Sequence, residues 1–358
     1  MTTESGIINT HGSANPPRAS TLPVVALTGH LGAGKTTLLN HLLRQSDARI
    51  GVVVNDFGDI NVDAAMVSGQ VDEPASFAGG CLCCLVDDDA FDQALEKLSR
   101  PRLGLDVVIV EASGVAEPLA LATLIQFSTA EGMRPGGLID VVDAVEYFNT
   151  VDTGDVVPSR FSAASLVVIN KCDRLPTADR EATLARIEQR VREANPNVHI
   201  VRTSAGRIDP ALLFDVASTR DLPDELPFLA THREEHPHDG HQHAAAATVQ
   251  SPGPVDPGRL IDLLEDPPPG AYRIKGRVAV RSSRSVRGYV VNLVGTSIHI
   301  VSAPVSTTDS ELVAVGLELD VDTARRRLEH ALSPAGIARA AGYGRLQQYR
   351  RLSMWMVA

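Results

Sequence analysis

The chain has 358 residues, of which 44% are hydrophobic and four are cysteine, and its formal net charge is -11. Such a chain can form a large core and is long enough for two domains. The negative charge argues against a nucleic-acid partner, and no apolar stretch approaches the roughly 20 residues that cross a bilayer, so no membrane partner is expected.

The first 20 residues are small, polar and proline-bearing, without a basic segment that leads into an apolar one. They predict a disordered tail and, in the absence of a secretory leader, a cytoplasmic protein.

A phosphate-binding loop follows the first predicted strand, residues 23–28. The segment GHLGAGKT at 29–36 fits G-x-x-x-x-G-K-[ST], and the apolar run at 37–43 predicts a helix after it. In this motif backbone N–H groups and the lysine surround phosphates, while the threonine hydroxyl binds Mg²⁺. Lys35 and Thr36 are therefore candidate catalytic residues, and Thr36 is also a candidate metal ligand. The predicted nucleotide contacts here are Gly29, Gly32, Ala33, Gly34, Lys35, Thr36 and Thr37.

An acidic loop, NDFGDINVD at 55–63, follows a second predicted strand at 50–54. Such a loop could order around a Mg²⁺-bound nucleoside triphosphate and relax after hydrolysis. Asp56 is a candidate catalytic residue and Asp59 a candidate metal ligand. The alternative is an ordinary solvated loop.

Cysteine is concentrated in GGCLCC at 79–84, which holds Cys81, Cys83 and Cys84. Thiolates are soft ligands that suit Zn²⁺ and Cu(I), and a closed zinc site normally has two Cys pairs or Cys with His. Here the fourth ligand must come from elsewhere, for example from Asp59 or Asp56, from solvent or from a partner. An incomplete set suits a transferable metal. Buried inert thiols and a redox disulfide remain as alternatives.

A helix is predicted at 90–100, and the next strand at 105–110 runs into Glu111-Ala112-Ser113-Gly114. Glu111 stands where a strand-end acid would hold Mg²⁺ or its water, and it is the Walker-B-like catalytic candidate. The N–H of Gly114 is placed to sense a γ-phosphate.

The residues that would recognise the nucleotide base come later in the chain, after predicted strands at 138–142 and 165–169. Asn170-Lys171-Cys172-Asp173 closes the second of these strands, and the Asp173 carboxylate can accept hydrogen bonds from guanine N1–H and the 2-amino group. Adenine offers no such donor pair, so GTP is favoured over ATP. After a predicted helix at 178–195 and a strand at 198–202, Thr203-Ser204-Ala205-Gly206 resembles the loop that contacts guanine O6. The base-side contacts are Asn170, Lys171, Asp173, Ser204 and Ala205.

Strands and helices alternate over residues 21–220, which predicts an α/β domain with the doubly wound, mostly parallel sheet of P-loop GTPases. Residues 221–269, rich in Pro, Gly, Ala and His, predict a linker. A second, smaller α/β domain is predicted at 270–358, with strands at 288–295, 297–303 and 311–319 and a helix at 323–332.

The predicted linker contains a histidine tract: His232, His236, His238, His241 and His243. A flexible imidazole cluster binds Zn²⁺, Ni²⁺, Co²⁺ or Cu²⁺ without fixed geometry, and a hydrophilic spacer is the alternative.

Taken in order, GHLGAGKTTLLNHLL, NDFGDINVD, GGCLCC, EASGVAEP and NKCD resemble the CobW-like metallochaperone GTPases, relatives of the urease and hydrogenase nickel-insertion GTPases. The resemblance covers roughly residues 22–215 and is weaker in the C-terminal domain. It implies a GTPase with GTP and Mg²⁺ as cofactors that holds Zn²⁺ at the CxCC thiolates, with cobalt or nickel as alternatives, and delivers it to a client metalloprotein. The oligomeric state is left open, with a homo-oligomer as one option.

Three other functions fit these motifs. A cobalt-handling protein of corrin synthesis would share all of them. A metal sensor or store would bind zinc without hydrolysing GTP, and a nucleotide-dependent redox switch would cycle Cys83 and Cys84 between thiol and disulfide.

Overall fold

The computed structural model describes residues 21–45, 48–54, 75–76, 88–114, 117–213, 244–281, 285–303, 309–334 and 340–355. The first half of these residues forms a seven-stranded sheet in which every neighbouring pair is parallel. Its strands are β1 (Leu22–Gly29), β2 (Ile50–Val54), β3 (Ala75–Ser76), β4 (Val107–Glu111), β5 (Met133–Asp143), β6 (Leu166–Asn170) and β7 (His199–Arg202).

The strand order is β3-β2-β4-β1-β5-β6-β7, so that β1 lies between β4 and β5. Every residue of β2, β4 and β6 is buried. Apolar runs of valine and isoleucine are typical of parallel strands that are covered on both faces. The predicted doubly wound sheet is therefore confirmed. Strand β5 begins at Met133 rather than at the predicted residue 138, and β3 was not predicted.

Helices cover both faces of this sheet. Apolar side chains of α1 pack in one core cluster, and those of α2, α3 and α5 pack in the other. In α5 the buried residues Leu184, Ile187 and Val191 recur at helical spacing. The helices of this domain are α1 (Lys35–Gln45), α2 (Asp88–Ser99), α3 (Pro118–Gln126), α4 (Tyr147–Thr150) and α5 (Arg180–Ala194).

The second domain is an antiparallel sheet in the order β11-β10-β9-β12-β8, with helices packed on one face. Its strands are β8 (Ala245–Ser251), β9 (Arg273–Arg281), β10 (Val286–Val294), β11 (Ser297–Ala303) and β12 (Ser310–Gly316). Its helices are α6 (Pro257–Glu265), α7 (Val321–Leu332) and α8 (Ala340–Trp355). Among the helices that the structure describes, none is long and apolar enough to cross a membrane.

The linker predicted for 221–269 ends earlier than expected, because β8 and α6 lie within it and belong to the second domain. Asp256 begins α6 by accepting hydrogen bonds from the N–H groups of Gly258 and Arg259, and Pro257 occupies the first helical position. The proline and glycine that suggested a linker are thus the residues that start a helix. Residues 221–243 lie outside the described part of the chain.

Tyr272 anchors the second domain on the first. The residue is 2% exposed and packs in the core cluster that contains α1. Its hydroxyl lies 3.2 Å from Ser165 Oγ, and its ring meets the ring of His199 edge-on at 5.1 Å. Arg273 extends the contact by donating to the Leu213 carbonyl oxygen at 3.2 Å.

Candidate nucleotide-binding site

The predicted nucleotide contacts meet at one edge of the parallel sheet. The glycine loop follows β1, Glu111 ends β4, Asn170 ends β6, and the loop at 203–206 follows β7. Because these strands are parallel, their carboxyl ends share an edge, which is where doubly wound sheets bind ligands.

The glycine loop leads directly into α1, which begins at Lys35 and has no acidic residue in its first turn. The N–H groups at a helix N-terminus, together with the positive end of the helix dipole, favour an anion there. The Lys35 side chain is 8% exposed, and its Nζ donates to the Gly29 carbonyl oxygen at 3.0 Å. The ammonium group therefore lies folded over the loop that would hold phosphate, while Thr37 is exposed on the helix.

Thr36 and Glu111 are in direct contact. Thr36 Oγ1 donates to Glu111 Oε1 at 2.9 Å, and Glu111 is 3% exposed at the end of β4. A hydroxyl and a carboxylate are hard oxygen ligands of the kind that Mg²⁺ takes alongside phosphate oxygens and water. The donor set therefore fits Mg²⁺, which Thr36 would bind directly and Glu111 directly or through water.

Gly114 lies against the glycine loop. A Cβ at this position would be 2.6 Å from the backbone nitrogen of Leu31, so only glycine allows this approach. The segment after β4 is therefore in contact with the phosphate loop, as its predicted role in sensing phosphate requires.

Asn170 joins the phosphate loop to the base loop. Its Nδ2 donates to the Ala33 carbonyl oxygen at 2.9 Å, and its Oδ1 accepts from the Gly206 N–H at 2.9 Å. Gly34 has a φ of +106°, and a Cβ there would lie 2.3 Å from Asn170 Nδ2. The second glycine of the motif is thus required both by its own backbone and by the asparagine that packs over it.

Lys171 also contacts the phosphate loop, and it links that loop to the end of β5. Its Nζ donates to the Gly32 carbonyl oxygen at 2.7 Å and to Asp143 Oδ2 at 2.6 Å. Sequence reasoning missed Asp143, although it ends β5 just as Glu111 ends β4. The signal that could have identified Asp143 is its position as a polar residue at the carboxyl end of a strand, as for β4 and β6.

Asp173 is exposed at the rim of the site, and its N–H donates to Ser204 Oγ at 3.2 Å. Ala205 has a φ of 55°, in the left-handed region. The base-side loops are thus held together while the Asp173 side chain faces solvent. Cys172 is half-buried, burial raises the pKa of its thiol, and its Sγ donates to the Ile169 carbonyl oxygen at 3.2 Å. A protonated, hydrogen-bonded thiol is a poor metal ligand, so the environment of Cys172 favours a packing role.

A buried charge network below the phosphate loop was also missed. Asp140 is 0% exposed, and its carboxylate accepts from Thr28 Oγ1 at 2.8 Å and from Arg160 at 2.7 Å through both Nε and Nη2. Thr28 directly precedes the glycine loop. Removing one partner of such a pair typically costs about 3–5 kcal/mol, because the other charge is left buried.

The predicted ligands of the cargo metal, and the catalytic candidate Asp56, lie outside the described residues. This holds for Cys81, Cys83, Cys84, Asp56, Asp59, His232, His236, His238, His241 and His243. Within the described ranges, no group of three or more His, Cys, Asp or Glu side chains could hold a metal ion. The structure therefore brings together the nucleotide residues and leaves the thiolate site as a sequence prediction.

Two family models match the chain. The CobW/HypB/UreG nucleotide-binding domain matches residues 23–202, and the cobalamin synthesis protein cobW C-terminal domain matches residues 244–332. The second match begins where β8 begins and agrees with the earlier start of the C-terminal domain.

The chain is similar to several curated proteins. A zinc chaperone CobW of Sinorhizobium sp is 26% identical over 75% of this chain and 81% of the relative. Zinc-regulated GTPase metalloprotein activator 1 of Schizosaccharomyces pombe is 30% identical over 56% of this chain and 49% of the relative. Zinc chaperone YjiA of Escherichia coli is 29% identical over 54% of this chain and 61% of the relative. The matches thus span about half to four fifths of the relatives' lengths.

Among solved structures, Zn(II)-bound YjiA GTPase from E. coli aligns with a TM-score of 0.40 and 20% identity, over 87% of this chain and 99% of that chain. The nucleotide-binding model covers half of the sequence, and the glycine loop, Glu111 and Asn170 within it lie at one sheet edge. The chain belongs to the CobW/HypB/UreG family.

Proposed function

We propose that this protein is a GTP-hydrolysing metallochaperone that holds Zn²⁺ and transfers it to a client metalloprotein. The nucleotide-binding part of this proposal rests on two hydrogen bonds, which Asn170 and Lys171 donate to the phosphate loop. They fix the base-binding and phosphate-binding loops relative to each other, and the loops therefore form one site for a whole nucleotide.

Within that site the residues have distinct roles. Lys35 and the backbone N–H groups of the loop bind the phosphates, and the Asp173 carboxylate accepts the guanine donors. Thr36 and Glu111 would hold Mg²⁺, which would supply positive charge beside the phosphate oxygens. Asp56, in the acidic loop, is the further catalytic candidate.

The zinc-binding part of the proposal is supported by the thiolate motif. It is also supported by similar proteins that are named zinc chaperones or a zinc-regulated GTPase metalloprotein activator. Cys81, Cys83 and Cys84 bind the cargo ion with Asp59 as a candidate fourth ligand, and the histidine tract collects metal. Cobalt and nickel are alternative cargoes that the same ligands accept.

The test measures phosphate release from GTP and zinc binding on one preparation. We expect Thr36→Ala to abolish turnover and leave zinc binding intact, whereas Cys83→Ser should weaken zinc binding and leave basal turnover intact. Thr123→Ala is the matched control, because the Thr123 hydroxyl donates only to the Leu119 carbonyl oxygen in α3. Zinc binding without any GTP turnover in the wild type would instead identify a metal store.

A further inference from the structure

The base-recognition residue Asp173 lies in a single short turn. Residues Cys172–Arg174 form one 3₁₀ turn between the end of β6 and the loop that leads to α5. A turn of three residues has little hydrogen bonding of its own, and Lys171 just before it has a φ of 61°, in the left-handed region that side chains rarely adopt. The direction of the Asp173 side chain therefore depends on contacts from outside the turn.

Side chains hold both main-chain polar groups of Asp173. Its N–H donates to Ser204 Oγ at 3.2 Å, and its carbonyl oxygen accepts from Arg180 Nη2 at 3.1 Å. Arg180 Nη2 also donates to the carbonyl oxygen of Leu175 at 3.1 Å. Leu175 is 7% exposed and packs in a core cluster of the first domain. One guanidinium thus ties the exposed Asp173 to a buried residue two positions later.

Arg180 is an unfavourable residue for the start of the helix to which it belongs. It is the first residue of α5, where the positive end of the helix dipole favours an acidic side chain and opposes a cation. Asp179, directly before it, makes no capping hydrogen bond with its side chain. Residues that conflict with their local structure are expected at functional sites. The contacts with the turn, and not the stability of α5, therefore account for an arginine at this position.

We propose that Arg180 is a positioning residue for guanine recognition. It holds the main chain of Asp173, so that the Asp173 carboxylate is directed at the N1–H and 2-amino groups of the base. Both contacts of Arg180 with the turn are made to carbonyl oxygens, and the exposed Asp173 carboxylate is left for the base. This role rests on the proposed function, in which Asp173 recognises the guanine of GTP.

The test measures the affinities of the full-length protein for GDP and IDP by calorimetric titration. Hypoxanthine lacks the 2-amino group of guanine and offers Asp173 one donor instead of two, so the wild type should bind GDP more tightly. Arg180→Met removes the guanidinium donors at similar length and should lower the GDP:IDP affinity ratio roughly fivefold, the factor that corresponds to one hydrogen bond. Arg180→Lys keeps a donor and should retain most of the preference. With saturating GTP, kcat should be unchanged in both variants, because Arg180 acts on the binding of the base.

Arg192→Met is the matched control. Arg192 lies on the same helix, and its Nη1 also donates to a main-chain carbonyl oxygen, that of Val198, at 3.4 Å. Val198 directly precedes β7, so this contact lies at the sheet edge opposite the nucleotide loops. The GDP:IDP ratio of Arg192→Met should equal that of the wild type, even where both methionine variants lower the melting temperature.

A double-variant cycle separates positioning from a general structural role. Asp173→Asn changes the residue that is positioned, so Arg180→Met added to it should leave the GDP:IDP ratio at the value of Asp173→Asn alone. Equal factors of loss for GDP and IDP in Arg180→Met, or the same further loss of preference in the Asp173→Asn background, would overturn the positioning role.

Failure of this role and failure of the proposed base recognition give different results. A changed GDP:IDP ratio in Asp173→Asn with a wild-type ratio in Arg180→Met would overturn only the role of Arg180. A wild-type ratio in Asp173→Asn would overturn the assignment of Asp173 and, with it, the role of Arg180.

Discussion

At the scale of single residues, the site depends on the side chain of Asn170. Its amide contacts both the phosphate loop and the base loop, and it packs where a Cβ on Gly34 would lie. Glycine is therefore required at position 34 for two reasons: the positive φ and the close contact with Asn170.

The contact predicts different costs for two alanine substitutions in the same loop. Gly34→Ala and Gly32→Ala both force a Cβ onto a left-handed backbone, which costs roughly 1–2 kcal/mol. Only at Gly34 does the new Cβ also collide with Asn170, which should add about 1–3 kcal/mol as overpacking does. Urea unfolding without nucleotide should therefore show a larger loss for Gly34→Ala.

The collision can be isolated with Asn170→Ala, which removes the atoms that the new Cβ would meet. The double variant should lose less stability than the sum of the two single variants. Equal losses at positions 32 and 34, or strict additivity, would contradict the proposed contact.

Base selectivity is predicted to depend on Asp173. Asp173→Asn removes an ionised acceptor for two guanine donors, so GTP affinity should fall roughly tenfold to a hundredfold, the range for a hydrogen bond to a charged group. The variant's affinity for xanthosine triphosphate should rise, because xanthine has a carbonyl where guanine has an amine. Titration with both nucleotides checks this, with Asp179→Asn as the control, since the Asp179 side chain makes no capping bond to α5. The assignment fails if the variant binds GTP like the wild type.

At the scale of elements, two strands carry histidines at or near the domain interface: His199 is half-buried and His299 is buried. His199 in β7 contacts Tyr272, and burial followed by the charge of Arg192 lowers the pKa of His199 to about 4. His299 in β11 has the same lowered pKa of about 4, from burial and then Arg134. Both rings are neutral in the folded protein at pH values where the unfolded chain would protonate them.

The direction in which stability changes with pH depends on how many protons the folded and unfolded states bind. Between pH 6.5 and 4 the unfolded state binds more protons at these rings, so the free energy of unfolding should fall as the pH is lowered through this range. Each histidine contributes up to about 1.4 kcal/mol per pH unit. Urea unfolding of the double variant His199→Phe/His299→Leu should show a shallower pH dependence, whereas His330→Ala should keep the wild-type slope. An unchanged slope in the double variant would show that these rings titrate normally.

Six strands of the first domain were predictable because each carries a local signal, whereas β3, α3 and α4 were not predicted. Valine and isoleucine runs mark the strands, and glycine or a polar tetrad marks where they end. The second domain was less predictable, since β8 is alanine-rich and α6 begins with Asp256 and Pro257 in a stretch that resembles a linker. Helix α8 carries arginine and glutamine and has a buried residue, Leu346, that only the folded sheet identifies as core.

The candidate site likewise contains residues that the sequence predicted and residues that it did not. Residues named by a motif, such as Lys35 and Asn170, occupy the edge that the motif predicts. Asp143 and the Asp140–Arg160 pair were missed because their partners are distant in the sequence, and only the sheet brings them together.

At the scale of the whole molecule, the proposed chaperone cycle requires that nucleotide and metal affect each other. The acidic loop and the cysteines lie in the sequence between β2 and β4, both of which end at the nucleotide edge. If Mg·GTP orders this segment, zinc affinity must change, and by linkage zinc must change GTP affinity by the same factor.

A typical coupling predicts roughly a 5- to 150-fold difference in zinc affinity between nucleotide states. Zinc should be titrated against a chelator with a non-hydrolysable GTP analogue, with GDP and without nucleotide. Cys83→Ser should lose the tight site, whereas Cys172→Ser should keep it, because Cys172 is protonated and hydrogen-bonded within the guanine loop. Equal zinc affinity in all three nucleotide states would remove the physical basis of the cycle.

Strand β5 sets the distance between the two edges of the first domain. It runs from Arg134, which donates a hydrogen bond to Asn292 of the second domain, to Asp143, which pairs with Lys171 at the nucleotide loops. At about 3.3 Å per residue these positions are roughly 30 Å apart, whereas the Debye length is only about 8 Å at physiological ionic strength. Even through the less screened protein interior, two unit charges at this distance interact by only about 0.6 kcal/mol at an effective dielectric constant of about 20. Any influence between the edges has to travel through packing, and it would persist in high salt.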